Sequence, residues 1–457
     1  MAASSVLSPA VDRRLGRRFT LSAETLDSPV MPNALFHTWF EEQRRMNRFE
    51  VNRIPFAELV NWGFQEETGN LVHDSGKFFA VEGLRVQTFW DGASSSWSQP
   101  ILNQPEVGIL GIVVKEFDGI LHCLMQAKME PGNLETVQLS PTVQATRSNY
   151  TGVHRGSSVN YLEYFAPPRS SEVLVDSLQS EQGSWFLRKR NRNMVVEAIG
   201  DVRPHEDFCW LTIGQINQLL KEDNLVNMDA RTVLSCIPYL DESEEPHRST
   251  GQIVSWLTEV RALREVLQRS VPLRSVDRWE RTADEIRHEA GRHFTIIAAD
   301  VRAANREVTR WTQPLLAPVE QGLAAFVTRR IEGTLHLLVQ ARTEAGALDV
   351  AELAPTVQCL PGAVRELPPG RRPWFFDFVT GIAPSRIRYD SVQSEEGGRF
   401  FHADNRYLIV EVGDDFPVEV PKEFCWMTPG QLNELLQHSN YVNIQARTLL
   451  AGLYSGQ

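Results

Sequence analysis

The feature that most constrains this chain is that it is written twice. Shifted against itself by 214 to 217 residues, it repeats Trp39-Phe40 as Trp256-Leu257, Pro55 as Pro272, Trp62 as Trp279 and His73-Asp-Ser-Gly76 as His288-Glu-Ala-Gly291. Further on the match tightens. Gly119-Ile-Leu121-His122 and Gln126-Ala127-Lys128 recur as Gly333-Thr-Leu335-His336 and Gln340-Ala341-Arg342, Pro141-Thr142-Val143-Gln144 as Pro355-Thr356-Val357-Gln358, and Phe208-Cys209-Trp210 as Phe424-Cys425-Trp426. A tandem duplication commits both halves to one topology, and 457 residues exceed what one core of ordinary size holds. The expected organisation is a flexible arm over residues 1–31, a first repeat over 32–237, an exposed linker over 238–251 rich in Asp, Glu, Ser and Pro, and a second repeat over 252–457.

Each repeat opens on helical spacing. Phe36, Trp39 and Phe40 form one stripe, and Ile253, Trp256, Leu257, Val260, Leu263 and Leu267 form the other. The β-rich runs Val107 to Val114 and Ile120 to Gln126 flank an Asp118-Gly119 turn, replaced by Glu332-Gly333 in the second repeat, which predicts a hairpin at the heart of a sheet. Val173 to Leu178 and Met194 to Ile199 add strands. Thr212 with Gln215, and Thr428 with Gln431, predict capping boxes at helix starts. The fold class expected is α+β, with two tandem units, each a mixed or antiparallel sheet flanked by helices.

Composition narrows the function. With 46 basic and 58 acidic residues the net charge is -12, which repels phosphate backbones, so no nucleic-acid partner is expected. The apolar runs are strand-length, well short of the roughly 20 residues needed to cross a bilayer, so no membrane partner is expected either. The first thirty residues carry Arg13, Arg14, Arg17 and Arg18 and lack the apolar core of a secretory signal, which points to a cytoplasmic protein. Five widely spaced cysteines read as reduced thiols. No glycine-rich phosphate loop, dinucleotide fingerprint, paired metal-binding histidines or hydrolase carboxylate box is present, so no cofactor is expected, and a bound diphosphate would rest on arginines and backbone amides.

The blocks Gln126-Ala127-Lys128, Leu139 to Thr146, Asp176 to Gly183 and Phe208 to Thr212, together with the duplication, resemble the NDP-hexose 2,3-dehydratases of deoxysugar biosynthesis, over nearly the whole chain after the arm. The resemblance implies two Nudix-like domains, a homodimer, and dTDP-4-keto-6-deoxyglucose as substrate. It also implies a 3,4-diketo-2,6-dideoxy product that a separate 3-ketoreductase must intercept. In such a substrate the carbon-4 ketone acidifies the hydrogen on carbon 3, so a base, an acid and oxyanion donors suffice, with no redox cofactor or metal. Two rivals stand beside this reading: a non-catalytic nucleotide-sugar binding protein and a Nudix-type diphosphate hydrolase.

Comparison of the two repeats selects candidate site residues. Arg147, Asn149, Tyr150, His154 and Arg155 face Pro361, Ala363, Val364, Pro368 and Pro369, while Tyr161 and Tyr164 face Phe375 and Phe378. The first repeat therefore keeps polar chemistry that the second lacks. Tyr161, Glu163 and His154 are the catalytic candidates, although Tyr161 also reads as a core aromatic, Glu163 as a structural hydrogen-bond partner and His154 as a solvent-facing loop residue. The substrate-binding candidates are Thr142, Gln144, Arg147, Asn149, Tyr150, Arg155, Gln179, Ser180, Glu181 and Trp185, with a buried structural network as the alternative for Thr142, Gln144, Gln179, Ser180 and Glu181. His122 and His336 read as buried, hydrogen-bonded histidines, and Arg188 to Arg192 as a solvated turn between strands, with a clamp on the diphosphate, shared with Arg147 and Arg155, as the alternative.

Overall fold

The computed structural model describes residues 13–47, 49–146, 159–239, 245–303 and 309–454. The Asp118-Gly119 turn forms as expected. Both residues have positive φ (50° and 83°), the twist that a two-residue hairpin between right-handed strands requires, and strands Gly108–Phe117 and Ile120–Met129 pair across it. Gly108–Phe117 also runs parallel to Arg190–Ala198, which pairs antiparallel with Ser171–Ser180. Phe208–Thr212 and Val137–Ser140 lie along Ile120–Met129, and Val143–Ala145 along Gly108–Phe117, giving a mixed sheet of seven strands. The second repeat builds the same seven-stranded sheet around Gly322–Ile331 and Thr334–Arg342. Both expected capping boxes are present, at Thr212 and Thr428.

Two further sheets, of five strands each, cross the repeat boundary. Ala80–Trp90 of the first repeat pairs with Glu265–Val271 of the second, while Phe49–Ile54 of the first pairs with Phe294–Ala303 of the second. The repeats thus exchange a strand reciprocally. Gly83 permits one of these junctions, since a Cβ there would fall 2.6 Å from Val276 Cγ2 and 2.8 Å from the Val271 carbonyl. The exchange also explains Leu263 and Leu267, which helical spacing placed on a core-facing stripe. The helix Thr250–Leu263 buries only Ile253, Leu257 and Val260, and Leu267 lies outward on the exchanged strand, both leucines being exposed.

Residues 13–31 do not behave as an arm. Arg13–Glu24 is a helix whose Phe19 is buried in the first repeat's core, and Ser22 donates to the Leu121 carbonyl at 2.6 Å. Ser28 Oγ meets the buried His122 Nε2 at 2.7 Å. The linker supplies the matching contact, for the His247 amide donates to His336 Nε2 at 2.9 Å. Gln215 and Gln431 likewise donate to the carbonyls of Met31 and Arg248. These segments make matching contacts with the two repeats.

The seam between the repeats is polar and closed. Arg231 and Arg447 are both fully buried. Arg231 donates to the Val226 and Ser394 carbonyls and to Gln393 Oε1, and Arg447 donates to the Val442 and Ser180 carbonyls and to Thr232 Oγ1. Each arginine binds one carbonyl of its own repeat and one of the other, so two buried charges are satisfied by geometry that only the docked pair provides.

Candidate active site

Four of the five polar candidates repeated in both halves are buried and hydrogen-bonded within the protein, two of them across the seam. Gln179 donates to the Leu436 carbonyl at 2.7 Å, and Ser180 donates to Glu352 Oε2 at 2.8 Å. Glu181 accepts from Asn191 Nδ2 at 2.7 Å, its pKa raised to about 7 by burial and by Glu396. Thr142 lies between the Val113 amide and the Leu124 carbonyl. These four serve as the buried network that was their alternative reading.

Tyr161 also has a structural occupation. Its phenol donates to the Arg203 carbonyl and accepts from the His205 amide, both at 2.9 Å, and its ring packs on Phe208. Burial raises its pKa. Tyr161 has a left-handed backbone (φ 62°), as does its counterpart Phe375 (φ 64°), so the position is a shared feature of the fold. Glu163 is exposed, and neither residue lines either of the two large cavities that follow. This placement offers no support for proton transfer by either. Arg147, Asn149, Tyr150, His154 and Arg155 lie outside the described residues, although Thr146, just before them, is part of a cavity wall.

That cavity, of about 690 Å³, opens against the first repeat's mixed sheet. Along Ile120–Met129 the alternation of side chains sends Ala127 and Met129 into the core and Lys128 the other way. Lys128 Nζ donates to Gln144 Oε1, and Gln144 Nε2 donates in turn to Glu130 Oε1 (2.9 Å) and to Asp229 Oδ2. Asp229 sits in the first turn of helix Met228–Ser235, whose N-cap Asn227 is tied to Ser140 Oγ at 2.8 Å. Burial raises its pKa well above the usual carboxylate range, reinforced by Glu130, Glu396 and Glu181. Trp311, Glu396 and Arg399 of the second repeat complete the wall.

A second cavity, of about 640 Å³, occupies the matching place in the second repeat. Arg342, Gln358 and Gln445 stand where Lys128, Gln144 and Asp229 do, and Gln182 and Trp185, contributed by the first repeat, stand where Glu396 and Arg399 do. Trp185 therefore belongs to this cavity, packed on Phe400 at 4.6 Å. Of the sequence-selected site residues, Gln144 alone lines the first cavity among those described. Lys128, Glu130, Asp229, Lys189, Glu396 and Arg399 were missed, although comparison of the repeats exposes Asp229 against Gln445 and Glu396 against Gln182. Lys189, within the stretch read as a solvated turn, is buried and donates to the Glu106 carbonyl. Among the described residues no three His, Cys, Asp or Glu side chains are grouped to hold a metal ion, and no helix is long and apolar enough to cross a membrane.

The sequence model of the NDP-hexose 2,3-dehydratases fits both halves of this duplicated α+β scaffold, over residues 33–237 and again over 250–453. The chain belongs to that family. It is 52% identical over 96% of its length to a dTDP-4-dehydro-6-deoxy-alpha-D-glucopyranose 2,3-dehydratase of Saccharopolyspora spinosa, covering 95% of that protein. Proteins of the same name are 52% identical in Amycolatopsis orientalis, over 95% of this chain and 93% of the relative, and 49% identical in Streptomyces violaceoruber, over 92% and 97%.

Proposed function

We infer that the chain removes water across carbons 2 and 3 of dTDP-4-dehydro-6-deoxyglucose, and that it does so in the first cavity. The observation that carries this is the contrast between two cavities of one design: Asp229 and Lys128 occupy in the first the places of Gln445 and Arg342 in the second. An amide cannot take up and return a proton as a carboxyl does. In this reading Asp229 takes the carbon-3 hydrogen, and Lys128, steered by Gln144, steadies the charge that moves to the carbon-4 oxygen. Arg399 and Lys77 supply positive charge for the diphosphate, and Trp311 offers a flat apolar face to the base.

Expulsion of the 2-hydroxyl leaves an enol that becomes the 3,4-diketo-2,6-dideoxy sugar nucleotide, a reactive product suited to capture by a 3-ketoreductase. Each mixed sheet with its flanking helices is in keeping with a Nudix-like scaffold, the first repeat catalytic and the second a binding or structural copy, in a homodimer. Mass spectrometry of dTDP-4-dehydro-6-deoxyglucose incubated with the protein, a 3-ketoreductase and reduced nicotinamide tests the activity. Loss of one water followed by gain of two hydrogens is expected, and an unchanged sugar or released nucleoside monophosphate would overturn it.

A further inference from the structure

The first cavity contains a carboxyl that its own repeat does not encode. We propose that Glu396, delivered by the second repeat, is the acid that protonates the departing 2-hydroxyl, so that the active site is assembled from both halves of the duplication. This rests on the assignment of the reaction to the first cavity.

The placement is enforced by backbone. The turn carrying Glu396 is locked into the first repeat because the Gly132 amide donates to the Gly397 carbonyl and the His402 amide to the Gly132 carbonyl, both at 2.7 Å. A Cβ at Gly132 would lie 1.6 Å from the Phe400 carbonyl, so the two loops mesh only with glycine there. The Gly397 amide also donates to Glu130 Oε2 at 3.0 Å, joining the turn to the Gln144 and Asp229 network. Among the described residues no hydrogen bond is made to the Glu396 carboxyl, whereas Glu181, Glu130 and Asp229 all have donors. Burial raises its pKa, and Glu130 adds to this while Arg399 opposes it. Arg399 donates to Gln104 Oε1 at 3.0 Å and stacks on Phe79. The position matching Glu396 is Gln182, whose amide donates to Glu395 Oε2 at 2.5 Å.

The step balances. Asp229 carboxylate takes the proton from carbon 3, and the electron pair moves into the carbon-3 to carbon-4 bond, leaving charge on the carbon-4 oxygen. As that ketone re-forms, the carbon-2 to oxygen bond breaks and the hydroxyl leaves as water with the Glu396 proton. In the resulting enol the 3-hydroxyl returns a proton to Glu396 while Asp229 delivers its proton to carbon 2. Both carboxyls regain their starting state.

Separation of the two half-reactions tests the assignment. Wild type, Glu396→Gln and Asp229→Asn are incubated with dTDP-4-dehydro-6-deoxyglucose in deuterium oxide, with melting temperature and dTDP affinity checked in each. Glu396→Gln is expected to exchange the carbon-3 hydrogen, read by NMR of recovered sugar nucleotide, yet to eliminate water at least about 100-fold more slowly. Glu396→Asp, which keeps a carboxyl, is expected to eliminate at least about tenfold faster than Glu396→Gln. Asp229→Asn is expected to do neither reaction. Elimination by Glu396→Gln within about threefold of wild type, loss of its exchange, or equal rates for the aspartate and glutamine variants overturns the role of Glu396. Full activity of Asp229→Asn would instead overturn the choice of cavity.

Discussion

Asp229 and Gln445 stand at the same place in the two repeats, each in the first turn of a helix capped by an asparagine, and only one of them can exchange a proton. Tyr161 and Phe375 differ by a hydroxyl too, but there the hydroxyl is bound on both sides by backbone. Tyr161→Phe leaves the Arg203 carbonyl and the His205 amide without that partner, which costs about 1 to 3 kcal/mol. Its expected signature is a lower melting temperature with kcat within about threefold of wild type, and a drop of 100-fold or more at unchanged stability would return the tyrosine to the chemistry. Glu181 and Glu352 carry a second residue-scale expectation. Both are buried in the seam, with burial lifting their pKa to about 7. A carboxyl whose folded pKa lies above its unfolded value binds more protons when folded, so its stabilisation is complete below about pH 4.5 and is lost as pH rises through about 7. The slope of melting temperature between pH 5 and pH 8 is expected to flatten when both become glutamine, and an unchanged slope would show that neither titrates in that window.

The elements of each repeat were largely legible. The Asp118-Gly119 hairpin, both capping boxes and the opening helices rest on interactions between residues within a few positions of one another, which sequence displays directly. The strand exchange was not legible. Phe49–Ile54 and Glu265–Val271 alternate as any half-buried strand does, and period alone cannot say which sheet a strand joins. Arg231 and Arg447 were hidden for a related reason, since a buried arginine reads as a surface one until its carbonyl partners are known. Arg447→Ala leaves the Ser180 and Val442 carbonyls and Thr232 unpaired in the seam, and a loss of about 3 to 5 kcal/mol is expected in denaturant unfolding. A loss under about 1 kcal/mol would mean that the exchanged strands hold the repeats together without it.

At the scale of the molecule, duplication has produced two cavities, each with a floor from one repeat and part of its wall from the other. Comparison of the repeats was applied to residues 147–164, whose differences are conspicuous, while Asp229 against Gln445 and Glu396 against Gln182 lay in stretches that otherwise match well. A common floor with a few exchanged functional groups, Asp229 for Gln445 and Glu396 for Gln182 among them, is how one cavity can keep catalysis while its twin keeps shape. The rate of water loss from dTDP-4-dehydro-6-deoxyglucose, measured by mass spectrometry with the reductase trap for Asp229→Asn beside Gln445→Ala, tests this most directly. Removal of the base is expected to cost at least about 100-fold in the first variant, with dTDP affinity retained, while the second stays within about threefold of wild type. Turnover by Asp229→Asn at the wild-type rate, or its abolition in Gln445→Ala, would contradict the assignment of catalysis to the first cavity.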